Sequence, residues 1–154
     1  MSLTVGLISD THGLLRPEAK RALARAGRII HAGDIGAHAV LDGLREIAPV
    51  DAVRGNNDRG AAWERSAPDR LLVELAGTRI FVLHDLKELD FEPAQKGIAV
   101  VIAGHSHRPA ITARGGVLYV NPGSAGPRRF NLPVTIGLMK LGQKRPRARI
   151  LDLL

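Results

Sequence analysis

Leu7-Ile8-Ser9-Asp10-Thr11-His12-Gly13 is the stretch that decides how the chain is read. The apolar run from Leu3 to Ile8 has the length of a buried strand, and Gly13 marks the turn out of the sheet. A carboxylate and an imidazole two residues apart, just past a strand end, can be aimed at one point. Such a pair suits manganese, iron, zinc or nickel. Alone it is a weak signal, because Asp-x-His arises readily by chance.

The same event recurs four times. Arg28-Ile29-Ile30-His31-Ala32 runs into Gly33-Asp34, and Val50-Asp51-Ala52-Val53-Arg54 runs into Gly55-Asn56-Asn57-Asp58. Arg79-Ile80-Phe81-Val82-Leu83 runs into His84-Asp85, and residues 98–103 run into Gly104-His105-Ser106-His107. In open α/β sheets, ligands gather outside the carboxyl ends of the strands, so these five ends are expected on one edge. Seven candidate metal ligands result: Asp10, His12, Asp34, Asn56, His84, His105 and His107. Seven donors exceed the needs of one ion and suit two. Two divalent cations about 3.5–4 Å apart require an anionic ligand between them. Asp34, the lone carboxylate on the middle strand of the set, is the natural bridge.

Asp10-x-His12, Gly33-Asp34, Gly55-Asn56-x-Asp58, His84 and Gly104-His105-x-His107 together resemble the ordered motifs of the calcineurin-like metallophosphoesterases. The spacing and short chain are similar to the small YfcE-type phosphodiesterase subfamily, as are Asn121-Pro122-Gly123-Ser124 and Pro127-Arg128. The resemblance covers residues 4–153. It implies a four-layer α/β/β/α sandwich of two mixed sheets with helices outside. It also implies that Asp10, His12, Asp34 and His107 hold one ion, while Asp34, Asn56, His84 and His105 hold the other. The implied activity is hydrolysis of a phosphate ester, above all a phosphodiester, by water activated between the two ions. His105 would offset charge on the transferring group. Manganese or nickel suits this Asp/Asn/His shell, with zinc and iron left open.

Two positions depart from the family pattern. Where many members carry a proton-donating histidine, this chain has Asn57, and an amide has no proton to give at neutral pH. Leaving groups of low pKa should then be favoured. The fourth motif reads His84-Asp85 rather than His-Gly. Asp85 either orients His84 or faces water, and water is the preferred reading.

The 154 residues fit one domain, large enough for a core without staples. Met1 to Leu3 can be in part an expression scar. The absence of cysteine excludes disulfides and thiolate-bound zinc and fits a reducing compartment. No run approaches the roughly 18 apolar residues of a membrane span, and no secretory leader is visible, so the expectation is a cytoplasmic protein without membrane contact. The formal charge is +7, with 17 Arg and 5 Lys, which attracts phosphate-bearing molecules. The arginines are scattered and aromatics number five, too few for a stacking platform. A small phosphate ester is therefore the expected partner; nucleic acid is open but not indicated, and homo-oligomerisation is left open.

Along the chain, Pro17 and Glu18 open a helix whose apolar stripe is Ala19, Ala22, Leu23 and Ala26, with Gly27 as its C-cap. His31 reads as a packed histidine. A second helix is expected over 37–48, stopped by Pro49. Strand-helix-strand-helix-strand implies a parallel sheet with right-handed crossovers. The irregular 59–68 segment holds the only Trp, Trp63, as a substrate wall or a hydrophobic plug. Hairpins are expected over 70–83, turning at Ala76-Gly77, and over 110–120, turning at Gly115-Gly116. A short helix or turn over 85–96 and strands over 134–141 and 148–153 follow. This hairpin-rich half suggests a second sheet packed on the first. Five basic residues between Lys140 and Arg149 are explained most simply by a turn and an outward strand face. The rival to an enzyme is a protein-binding scaffold on the same fold, like the retromer subunit that resembles this family, or a nucleic-acid-processing phosphoesterase. In the scaffold lineage the ligand set is degraded, whereas here all seven positions match.

Overall fold

The computed structural model describes residues 2–59, 67–142 and 144–154. Trp63 lies outside them. The first half alternates β1 (Leu3–Ile8), α1 (Pro17–Ala22), β2 (Arg28–His31), α2 (His38–Arg45) and β3 (Val50–Ala52). The second half contains β4 (Arg70–Leu75), β5 (Thr78–Leu83), β6 (Val100–Ile102), β7 (Ala110–Arg114), β8 (Val117–Asn121), β9 (Thr135–Leu141) and β10 (Arg147–Asp152). Two mixed five-stranded sheets result, ordered β10-β9-β1-β2-β3 and β4-β5-β6-β8-β7. β1, β2 and β3 are parallel, as are β5, β6 and β8; β9 and β10 join the first sheet antiparallel.

Strand alternation explains the layers. Val5 and Leu7 of β1 face the second sheet and pack with Ile30, Ile80, Val82, Val100, Ile102 and Val120. Ile8 and Ile29 face the other way, onto Leu23 after α1 and Leu41 and Leu44 of α2. Each such side chain, fully buried, contributes roughly 1.5–3 kcal/mol of transfer free energy. On the far face of the second sheet, Phe81, Leu83 and Val101 are covered by Leu89 and Phe91. That fourth layer is thin: its regular structure is two 3-10 turns, Leu86–Glu88 and Pro93–Lys96. Pro93 and the left-handed Gly97 keep it from becoming a longer helix.

Both expected hairpins are present, with Ala76-Gly77 and Gly115-Gly116 at positive φ in their turns. Three expectations are corrected. The five ligand-bearing strands do not share one sheet edge; β1, β2 and β3 lie in one sheet, β5 and β6 in the other. Because the sheets stack face to face, their carboxyl ends still meet. α1 stops at Ala22, and Gly27 is not its cap: Ala24 and Ala26 take tighter bonds to Arg21 and Leu23, and Gly27 N–H is drawn to the Thr4 carbonyl. α2 likewise ends at Arg45, its last turn closing through Ile47 N–H to Leu44.

Candidate metal centre

Asp10 and His12 leave the end of β1, Asp34 follows β2, His84 follows β5, and His107 follows β6. Asp10 is fully buried, and its two oxygens have different tasks. Oδ2 accepts the Ser9 hydroxyl at 2.8 Å and the His105 N–H at 3.1 Å. Oδ1 lies 3.3 Å from His107 Nε2, 3.8 Å from His84 Nε2 and 3.9 Å from His12 Nε2. Asp34 Oδ2 stands 3.2 Å from His84 Nε2 and 3.8 Å from His12 Nε2, while its Oδ1 accepts the Asn57 N–H at 2.9 Å. Two groups emerge whose donor atoms lie within 4.8 Å of one another: Asp10, His12 and His107, and Asp10, Asp34 and His84.

The chemistry of these atoms fits a cation. Among the described residues, Asp10 Oδ1, His12 Nε2 and His84 Nε2 are buried without a hydrogen-bond partner, although buried polar groups are nearly always paired. His84 makes the case most sharply. Its Nδ1 meets the Ala32 carbonyl at 2.7 Å and so carries the hydrogen, which turns the Nε2 lone pair towards the Asp34 carboxylate. Lone pair against carboxylate is repulsive unless a proton or a metal ion stands between them. Without a metal, the proton takes that place. Burial opposes the charged His84 ring, but the Asp34 hydrogen bond and the nearby Asp10 charge outweigh it and raise the pKa to about 9. For Asp34, burial is outweighed by His84 and the Asn57 N–H, which bring the carboxyl down to about 2. Asp10 goes the other way, because burial exceeds the help of His84 and Ser9. Burial also pushes His107 down.

The backbone supports the same reading. Asp10, His12, Asp34, His105 and His107 all have φ between 46° and 72°. Side chains other than glycine seldom adopt that region, and such strain clusters at functional sites. These residues lie two to five positions past the ends of β1, β2 and β6, where the chain turns sharply out of the strand.

A family model for the calcineurin-like phosphoesterase superfamily domain matches residues 3–144. The chain belongs to this superfamily. A probable metallophosphoesterase of Methanothermobacter thermautotrophicus is 33% identical, covering 92% of this chain and 88% of its own. A phosphodiesterase of Methanocaldococcus jannaschii is 28% identical, covering 97% of this chain and 100% of its own. Among solved structures, an archaeal phosphodiesterase superposes with a TM-score of 0.81 at 25% identity, covering 97% of this chain and 100% of that one. Vacuolar protein sorting 29 from Cryptosporidium parvum superposes with a TM-score of 0.77 at 17% identity, covering 98% of each chain, which is a likeness of fold.

Of the seven expected ligands, the structure gathers five closely: Asp10, His12, Asp34, His84 and His107. Asn56 and His105 stand at the rim and are exposed. His105 meets the His84 ring edge-on with centroids 5.2 Å apart. Asn57 is turned back into the site, its backbone and amide nitrogens reaching Asp34 at 2.9 and 3.4 Å. Asp85 neither orients His84 nor simply faces water. The Ala32 carbonyl orients His84, whereas Asp85 caps the 3-10 turn through Lys87 N–H and lies 3.8 Å from His105 Nε2.

Sequence reasoning quoted Asp58 and Asn121-Pro122-Gly123-Ser124 as motif residues but missed that they hold the loops. Asp58 is fully buried and accepts the N–H groups of Ile35, Gly36 and Gly55 at 2.9–3.0 Å, which pins the Asp34 loop to the Asn56 turn. Asn121 binds the Gly104 carbonyl and the Ser106 hydroxyl, and Ser124 binds the Asp10 carbonyl. Asn121-Pro122-Gly123-Ser124 is thus a clamp on two of the ligand-bearing loops, those after β1 and β6. Its polar residues at the end of β8 were the available signal. His31 is a packed histidine, as expected: Gly33 N–H binds its Nδ1, so its Nε2–H donates to Thr11, whose hydroxyl donates to Ile35. That chain fixes the turn just before Asp34.

Proposed function

We propose that this chain is a metal-dependent hydrolase of phosphate esters, chiefly phosphodiesters, with two divalent cations at its centre. One observation carries the reading: Asp10 Oδ1, His12 Nε2 and His84 Nε2, drawn from both sheets, are buried together with no hydrogen-bond donor to pair them among the described residues. Asp10, His12, Asp34 and His107 would hold one cation; Asp34, Asn56, His84 and His105 would hold the other. The Asp34 carboxylate, within 4 Å of both His12 and His84, is the bridging anion in this reading. Since both sheets supply ligands, the two halves act as a single domain. Divalent cations, when bound, supply Lewis acidity towards phosphoryl oxygens and lower the pKa of water towards neutrality. Manganese or nickel matches the donor set, and zinc or iron is compatible with it.

The chain's own residues divide the remaining work. Ser9, the His105 N–H and Asn57 orient the two carboxylates. The Ala32 carbonyl fixes the His84 tautomer. His105, whose side chain is 43% exposed, is placed at the mouth to hydrogen-bond a phosphoryl oxygen. Asn57 can donate a hydrogen bond there but cannot surrender a proton. Among the described residues no helix is long and apolar enough to cross a membrane. The substrate proposed is a small phosphate ester.

The scaffold reading rests on fold likeness alone. The desolvated, strained set of carboxylates and imidazoles supports the hydrolase reading instead. Elemental analysis of the metal-loaded protein, with a panel of phosphodiesters and monoesters assayed in Mn²⁺, separates the two. Bound metal with turnover supports the hydrolase; no turnover, with or without bound metal, would leave the scaffold.

A further inference from the structure

The β9–β10 turn carries positive charge that the metal centre does not use. A cavity of about 760 Å³ is lined by Ser2, Lys140, Leu141, Lys144, Arg145 and Arg147. A second, of about 280 Å³, shares Lys140 and Arg147 with it and adds Arg149. Neither contains an acidic residue. Among the described residues, none of these five cations enters an ion pair or a side-chain hydrogen bond. Lys140 and Arg147 are direct partners across the antiparallel β9–β10 ladder. Like charges opposite one another in a sheet repel, and no described residue offsets them. Arg149 follows on the same face, two residues along the strand.

This ledge is remote from the metal centre. Leu141 pairs with Leu3 at the start of β1, whereas Asp10 lies beyond its end. At ~3.4 Å per strand residue, the two are separated by more than about 17 Å. The ledge therefore cannot serve the reacting phosphate.

We propose that the β9–β10 ledge is a binding site for the phosphate backbone of duplex nucleic acid, distinct from the metal centre. Side chains two apart on one strand face lie ~6.8 Å from each other, close to the separation of successive phosphates. No aromatic lines either cavity, so bases are not stacked and binding is independent of sequence. A membrane surface fits less well, because the exposed large apolar residues Leu14, Leu72, Leu86, Ile111, Phe130 and Leu154 all lie elsewhere. The inference does not depend on the proposed hydrolysis.

The test is fluorescence anisotropy of the full chain with short fluorescein-labelled DNA and RNA duplexes across a salt series. Four to five neutralised phosphates predict a log–log slope of about −4. Lys140→Gln/Arg147→Gln/Arg149→Gln should weaken binding by at least ~10-fold and flatten the slope by two to three. The control Arg59→Gln/Arg108→Gln/Arg128→Gln, which removes the same charge elsewhere, should leave binding within about twofold. Equal losses in both variants, no duplex binding at low salt, or capture by phosphatidylserine vesicles alone would each overturn the proposal. Lys140→Gln by itself should melt no lower than the wild type; a lower melting temperature would reveal an internal partner and count against it as well.

Discussion

The backbone N–H of His105 donates to Asp10 Oδ2 at 3.1 Å, joining the first ligand loop of one sheet to the last ligand loop of the other. With the Ser9 hydroxyl, it saturates one oxygen of Asp10 and leaves the second to face three imidazoles. The approach requires Gly104. A Cβ there would collide with Ser9 Oγ and stand 2.7 Å from Asp10 Oδ2.

Gly104→Ala should therefore damage the centre without touching a ligand. Overpacking of this kind costs roughly 1–3 kcal/mol, and misplacing a ligand's support lowers metal affinity by about 10–100-fold. Calorimetric Mn²⁺ titration and a urea melt measure both. Unchanged metal affinity would show that the Asp10–His105 contact is not what orients the carboxylate.

Metal-loaded protein should approach two equivalents per chain, and Asp34→Asn should reduce metal content and hydrolysis more than Asn56→Ala. The first change removes the anion between the cations; the second removes a neutral donor at the exposed rim. Asp10→Asn provides the comparison, since Asp10 belongs to both donor groups. Were Asp10→Asn alone to reduce the stoichiometry to one, the bridge would be Asp10.

Asn57 bears on leaving groups. General acid catalysis is worth about 10²–10⁴-fold, and an amide supplies none. Rates over a series of aryl phosphodiesters should fall steeply as leaving-group pKa rises, and Asn57→His should flatten that slope. The substitution also removes an amide contact to Asp34, so metal content must be measured beside it. A flat wild-type series, with chemistry limiting, would identify another acid; Asp85, which lies 3.8 Å from His105 Nε2, is the first to test.

His31 sets an acid limit on stability. Burial, and then the neighbouring His84 charge, bring its pKa from 6.5 to about 3. The folded chain also uses its bare Nδ1 to accept the Gly33 N–H. As pH falls, the unfolded chain takes up the proton first, so this contribution is complete above pH 6.5 and is lost progressively towards pH 3. The loss is of the order of a few kcal/mol. Urea melts at pH 7.5 and 4.5 should differ more for the wild type than for His31→Gln. An identical pH dependence would mean that the ring is protonated in the fold.

Much of this was legible in the chain because the signals were local. An apolar run followed by a donor residue located the ligand loops, and the Ala76-Gly77 and Gly115-Gly116 turns set both hairpin registers. What stayed hidden depends on long-range placement. Nothing near Asp58 announces that it will bind Ile35 and Gly36, more than twenty residues earlier, and nothing near Asp85 announces His105. The partition of ligand strands between two sheets is equally non-local, since β5 and β6 carry the same pattern as β1 and β2. The basic residues around Lys140 read as an ordinary wet face until the register set Lys140 against Arg147.

The left-handed backbone at the ligand positions has an evolutionary consequence. At His12 or His107, glycine would relax a conformation that costs other residues roughly 1–2 kcal/mol. It would also remove an unpaired buried ring nitrogen. A lineage released from selection for the reaction would therefore find that inactivating substitutions stabilise the fold. Decay of the centre runs downhill, and the two packed sheets outlast it. A non-catalytic descendant with this architecture is the state towards which the sequence drifts once nothing holds it at the strained one.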